Sequence, residues 1–159
     1  MAVAADIMTK IVLTVPPDAP VRAVATLLAE NRFGSVPVVD QSGGVLGLVS
    51  EEDMVERAAK VHLPRHLEFL GSIIFLENPE SFREETEKIL ALTANDIMDR
   101  EYTTASPDTP VEDIASRMLE EDIRRIVVLD AQAHLQGIIT RADIVRMQVR
   151  GGQLPDKEG

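Results

Sequence analysis

Asp6-Ile7-Met8, Pro17-Asp18-Ala19-Pro20-Val21, Val36-Pro37-Val38-Val39-Asp40 and Gly47-Leu48-Val49-Ser50-Glu51-Glu52-Asp53 form an ordered set that returns 90 residues later. The second occurrence reads Asp96-Ile97-Met98, Pro107-Asp108-Thr109-Pro110-Val111, Ile126-Val127-Val128-Leu129-Asp130 and Gly137-Ile138-Ile139-Thr140-Arg141-Ala142-Asp143. One ungapped register aligns both heads, both Pro-Asp turns, Val38 with Val128, Gly47 with Gly137 and Asp53 with Asp143. Chance does not hold a register over so many positions. Solenoids stack three or more repeats, usually of shorter period, so two copies point to a pair of related units.

Each copy reads as the same string of elements. A short strand ends near Thr14-Val15, or Thr104-Ala105, and Pro-Asp then opens a turn into a helix with Pro20, or Pro110, in its first turn. Val21, Val24 and Leu28 fall on one face of that helix, as do Val111, Ile114 and Met118. An apolar run, a polar turn and a second apolar run follow, the pattern of a hairpin. Ser50, or Thr140, then starts a second helix through Met54-Val55, or Ile144-Val145. The expected unit is β-α-β-β-α, with a right-handed strand–helix–strand crossover. This divides the chain into repeat 1 (1–60), a helical or irregular insert (61–93), repeat 2 (94–150) and a flexible tail (151–159). In the insert, Asn78-Pro79 reads as a helix start with Phe82, Ile89 and Leu90 on its apolar face. Three of the four Phe, at 69, 75 and 82, lie there, a concentration that suggests a packing or partner surface.

Composition bounds the function. The chain carries 16 basic and 27 acidic side chains, a net charge of −11, and each of the four segments above is acidic. No stripe therefore offers the positive footprint that nucleic acid requires. A small anionic ligand needs a local Arg cluster working against that field. With 45% hydrophobic residues the chain has material for a real core. The absence of Cys removes disulfides, thiolate metal sites and cysteine nucleophiles. Residues 1–6 lack the basic and apolar regions of a signal peptide, and the longest nearly apolar run, 67–76, is far short of the ~20 residues of a membrane helix. A soluble cytoplasmic protein, without a membrane or nucleic-acid partner, is expected.

The tandem set, with Asp-Ile-Met heading each copy, Val36-Pro37-Val38-Val39-Asp40 in the middle and Gly47 to Asp53 at the end, resembles a CBS-domain pair. This regulatory module, named after cystathionine β-synthase, is also called a Bateman module. The resemblance covers residues 6–55 and 96–145. It implies a mixed α/β fold, two β-α-β-β-α repeats in a pseudo-twofold pair packed through their sheets. It further implies clefts that bind AMP, ADP, ATP or S-adenosylmethionine, a homodimer, and no catalysis.

Residue by residue, the resemblance puts the ribose-binding acid on Asp53 and Asp143, three positions after Ser50 and Thr140. A carboxylate can accept both ribose hydroxyls, and a hydroxyl at a helix start suits phosphate. The same Ser-x-x-Asp and Thr-x-x-Asp spacing also fits a helix-capping box, which favours Glu or Gln as the acid. Arg141, and Arg124-Arg125 on the preceding strand, stand where the family often places basic residues near phosphates. Arg124-Arg125 is alternatively a solvated pair answering Glu120-Glu121-Asp122. Thr103, Thr104 and Ile126 are the implied adenine and backbone positions. In the first copy Glu51 and Gly34-Ser35 replace those Arg, which disfavours phosphate there. Val127 replaces the Pro usual in the family.

Other constellations carry less. His62 and His66 have a metal-binding helical spacing, but Pro64 lies between them. Gly43-Gly44 precedes no P-loop Lys-Ser or Lys-Thr, and no nucleophile-elbow motif is present. The reading is a regulatory adenine-nucleotide sensor that is not an enzyme and needs no cofactor. Its rival is a dimerisation or interaction scaffold with empty clefts.

Overall fold

The computed structural model describes residues 1–10, 13–31, 34–60, 66–69, 72–75 and 92–151. Each copy of the repeat supplies the helix, hairpin and second helix that its pattern demands. The first copy contains α1 (Ala4–Ile7), α2 (Val21–Asn31), β1 (Ser35–Val39), β2 (Val45–Ser50) and α3 (Glu51–Lys60). The second contains α4 (Ala94–Ile97), β5 (Thr104–Ala105), α5 (Val111–Glu120), β6 (Arg125–Leu129), β7 (Leu135–Thr140) and α6 (Arg141–Gly151). Between them stand β3 (His66–Phe69) and β4 (Ser72–Phe75), an antiparallel pair in which His66 opposes Phe75 and Phe69 opposes Ser72. This corrects the helical or irregular reading of that stretch. The helix expected from Asn78, the Phe side chains and the tail fall outside the described residues.

Apolar periodicity explains the cores. On α2, Val21, Val24 and Leu28 are buried; on α5, Val111, Ile114 and Met118 are buried. In the second copy β6 is central, parallel to β5 through Thr104 and Val127 and antiparallel to β7 from Arg125–Thr140 to Leu129–Leu135. β-Branched residues fill the inward positions, with Ile126, Val128 and Ile139 fully buried against Ile114 and Met118. The first copy packs Val36, Val38 and Val49 against α2 in the same manner. Its counterpart of β5 is reduced to one parallel bridge, Val15 with Val38.

The compact units of the fold cut across the repeat. One gathers Met1–Val12, Ser42–Val45 and Glu101–Gly159; the other gathers Leu13–Gln41 and Leu46–Arg100. Each head segment has therefore left its own copy for the body of the other. Val3 pairs with Pro110 and Thr9 with Ile138, while Thr93 pairs with Pro20 and Asp99 with Leu48. Both short helices are started the same way: the Val3 N–H donates to Asp6 Oδ2, and the Thr93 N–H and hydroxyl donate to Asp96 Oδ2. Ala4 is buried in the second-copy core and Ala94, Ile97 and Met98 in the first-copy core. The exchange also explains the shared glycines. A Cβ on Gly47 would lie 2.6 Å from the Asp99 carbonyl oxygen, and one on Gly137 would lie 2.7 Å from that of Thr9.

Candidate functional site

The site of interest is the start of α6 in the second-copy unit. Sheet register brings several sequence candidates to one end of the sheet: Thr104 opens β5, Arg125 opens β6, and Thr140 closes β7 directly opposite Arg125. Ile126 is fully buried in the core, backbone and side chain together. The carbonyls of Thr103 and Thr104 already accept hydrogen bonds, from the Val127 N–H at 2.9 Å and Arg117 Nη1 at 3.1 Å.

Asp143 is the most unusual group here, a carboxylate whose side chain is only 6% exposed. Burial of a charge requires partners, and Asp143 has three. The Thr140 N–H and hydroxyl donate to Oδ2 at 2.8 and 2.9 Å, and Arg146 Nη1 donates to Oδ1 at 2.6 Å. The charge-assisted bond to Arg146 is the shortest of the set. At the matching position of the first copy, the Ser50 N–H and hydroxyl donate to Asp53 Oδ2 at 2.8 and 2.7 Å. The Asp53 N–H returns a bond to Ser50 Oγ at 3.2 Å. Ser50 and Asp53 thus form a reciprocal capping box with Asp as its acid, and Thr140 and Asp143 share the two bonds to the carboxylate.

The adjacent Arg141 is turned elsewhere. Its guanidinium donates to the carbonyls of Ile123 at 3.1 Å and Met118 at 3.2 Å, and to Asp122 Oδ1 at 2.8 Å. It closes the C-terminal end of α5, where a cation suits the helix dipole. The Arg141 hydrogen bond and its charge hold the Asp122 carboxyl below the usual carboxylate range. Helix geometry explains the divergence, since residues two apart point to different sides while residues three or four apart share a face.

That shared face lines a cleft of about 540 Å³ bounded by Asp143, Arg146, Met147 and Arg150 of α6. The opposite wall is the exchanged head, with Asp6, Ile7, Met8 and Thr9. Arg124, Arg125, Thr140 and Arg141 do not line it. Arg146, Arg150 and the head residues are absent from the sequence candidates. The signal for the two Arg was present, as positions 143, 146 and 150 recur with helical spacing. The head had no signal, because its packing partner is set by long-range exchange. Among the described residues no group of His, Asp or Glu is placed to hold a metal ion, and no helix is long and apolar enough to cross a membrane.

The CBS domain family matches residues 3–60 and 94–150 of the chain. The chain belongs to the CBS domain family. It is a tandem pair, or Bateman module, as the duplicated pattern implied. An uncharacterized protein of Methanocaldococcus jannaschii is 29% identical over 147 residues, covering 88% of this chain and 87% of its own length. The CBS domain-containing protein CBSX1, chloroplastic, of Arabidopsis thaliana is 30% identical over 138 residues, covering 83% of this chain and 57% of that protein. Among solved structures, CBSX2 of Arabidopsis thaliana in complex with AMP has a TM-score of 0.73 at 24% identity, over 96% of this chain and all of that one. A CBS domain pair in complex with 5′-methylthioadenosine and S-adenosyl-L-methionine has a TM-score of 0.69 at 23% identity, over 97% of this chain and 99% of that one. These two structural likenesses establish the fold of the CBS pair.

Proposed function

We propose that this CBS pair is a regulatory sensor of an adenosine ligand (AMP, ADP, ATP or S-adenosylmethionine) with no catalysis of its own. The observation that carries the reading is Asp143, a buried carboxylate at a helix start with a cleft beside it. Asp143 would accept the ribose hydroxyls, with Thr140, the helix start and Arg125 toward phosphate, Arg124 beside them, and the backbone around Thr103, Thr104 and Ile126 toward adenine. Asp53 and Ser50 would form a weaker site, because Glu51 and Glu52 repel an anion. The AMP and S-adenosylmethionine complexes of structurally similar CBS pairs support this choice of ligand class. The same reading makes the protein a cytoplasmic homodimer that acts on a partner protein. Sedimentation should give a mass above the 17.4 kDa of one chain.

The test is a thermal shift of the full chain against AMP, ADP, ATP, S-adenosylmethionine and NAD. A ligand at a hundred times its Kd adds about 2.7 kcal/mol of stability by mass action, so one adenosine ligand should raise the melting temperature clearly. Asp143→Ala should then lower its affinity on the order of tenfold, through loss of a charge-assisted acceptor. One observation favours the rival scaffold reading: three donors already satisfy Asp143 without a ligand. That reading expects no shift with any of the five compounds.

A further inference from the structure

Asp143 Oδ1 is held by Arg146, whose own side chain is 64% exposed and lies along the cleft wall. Arg150 stands one turn further along the same wall. An adenosine ligand whose ribose approaches this carboxylate competes with Arg146 for Oδ1, since Oδ2 is bound by the backbone and hydroxyl of Thr140. Arg146 is long, flexible and anchored at one end only by this ion pair, so it can swing along the cleft without moving the helix. Once released, its planar fork suits a phosphate, and Arg150 supplies a second fork on the same face. The remaining acid of the cleft, Asp6, is held by the Val3 N–H at 2.9 Å and remains as the one repulsive charge. In the first copy, Glu56 stands where Arg146 stands in the second, and Lys60 where Arg150 stands.

The geometry points to Arg146 as a displaceable placeholder. It neutralises Asp143 in the empty cleft, yields that carboxylate to the ribose of a bound ribonucleoside phosphate, and then joins Arg150 in holding the phosphate. This assignment rests on the nucleotide reading of the site, and places the phosphate on Arg146 and Arg150, which line the cleft, in place of Thr140 and Arg125, which do not.

Opposite effects on two ligands provide the test. Isothermal titration of the full chain with AMP and with adenosine would be run on wild type, Arg146→Gln, Arg146→Lys and Arg150→Gln. Arg146→Gln removes both a phosphate partner and a competitor of the ribose. AMP affinity should fall about tenfold, the size of one charge-assisted bond, while adenosine affinity holds or rises. Arg150→Gln should weaken AMP alone, and Arg146→Lys should restore part of the AMP affinity. Equal losses for both ligands, or AMP affinity unchanged in Arg146→Gln and Arg150→Gln, overturn the placeholder while leaving the nucleotide reading intact. Wild-type protein that binds neither AMP nor adenosine overturns the nucleotide reading, and the placeholder with it.

Discussion

Ser50-x-x-Asp53 and Thr140-x-x-Asp143 hold their aspartates by the same pair of bonds yet offer different surroundings to a ligand. At Asp143, Arg146 and Arg150 follow on the same helical face. At the matching positions after Asp53 the chain has Glu56 and Lys60. A third example sharpens the contrast: Thr93 and Asp96 make the same two bonds at the start of α4. The box itself is therefore a general device for starting helices in this chain. Asp143 is buried, held by a short ion pair and set beside a cleft, and these are properties of the surroundings, not of the motif.

The largest expected effect tests where the copies are alike. Gly47→Ala and Gly137→Ala each drive a Cβ onto a backbone carbonyl of an exchanged head, and each should destabilise by about 2–3 kcal/mol in urea unfolding. A large difference between them would show that the two heads are not held equivalently. Next come the aspartates. Asp143→Ala leaves the Thr140 N–H and hydroxyl without their buried acceptor, for about 2 kcal/mol, whereas Asp53→Ala loses an ordinary cap, for about 1 kcal/mol. Equal losses would remove the distinction drawn between the two helix starts.

A smaller effect concerns the hairpin turns, where glycine at position 43 of the first copy is matched by alanine at position 133 of the second. Gly43 has φ +86° and its counterpart Ala133 has φ +63°, so the second copy places a Cβ in the left-handed region. Ala133→Gly should stabilise by about 1 kcal/mol and Gly43→Ala should destabilise by a similar amount. The smallest effect is a pH dependence in the second-copy turn. N–H groups of His134 and Gln132 donate to Asp130 and hold its carboxyl below the usual range. A carboxyl depressed by folding stabilises above its unfolded value, about 3.9, and that contribution is lost as pH falls through the lower folded value. The stability gap between wild type and Asp130→Asn should therefore be present at pH 7 and close in acid.

Much of this architecture was legible because duplication doubles every signal. Val21-Val24-Leu28 and Val111-Ile114-Met118 each suggest a helix face, and together they fix one. The alternation His66-Leu67-Glu68-Phe69 had the period of a strand, but a segment with no second copy offered no check. Adjacency in sequence associated Arg141 with Asp143, although a helix carries N1 and N3 to different sides and brings Arg146 round to the acid. The head exchange left no trace at all. An offset of 90 residues aligns Thr9 with Asp99 whichever body each head packs on, so self-comparison cannot distinguish the two arrangements.

The head exchange has a consequence for descent and for dissection. A gene fragment encoding either repeat alone specifies a body and a head that do not complete one another in this fold. Two such fragments can complete both by trading heads, as in a domain-swapped dimer. The tandem chain is the covalent form of that dimer, in which the segment between the copies replaces an encounter between molecules with a tether. Cutting the tether should leave halves that assemble with each other in a concentration-dependent manner, each taking its head from the other.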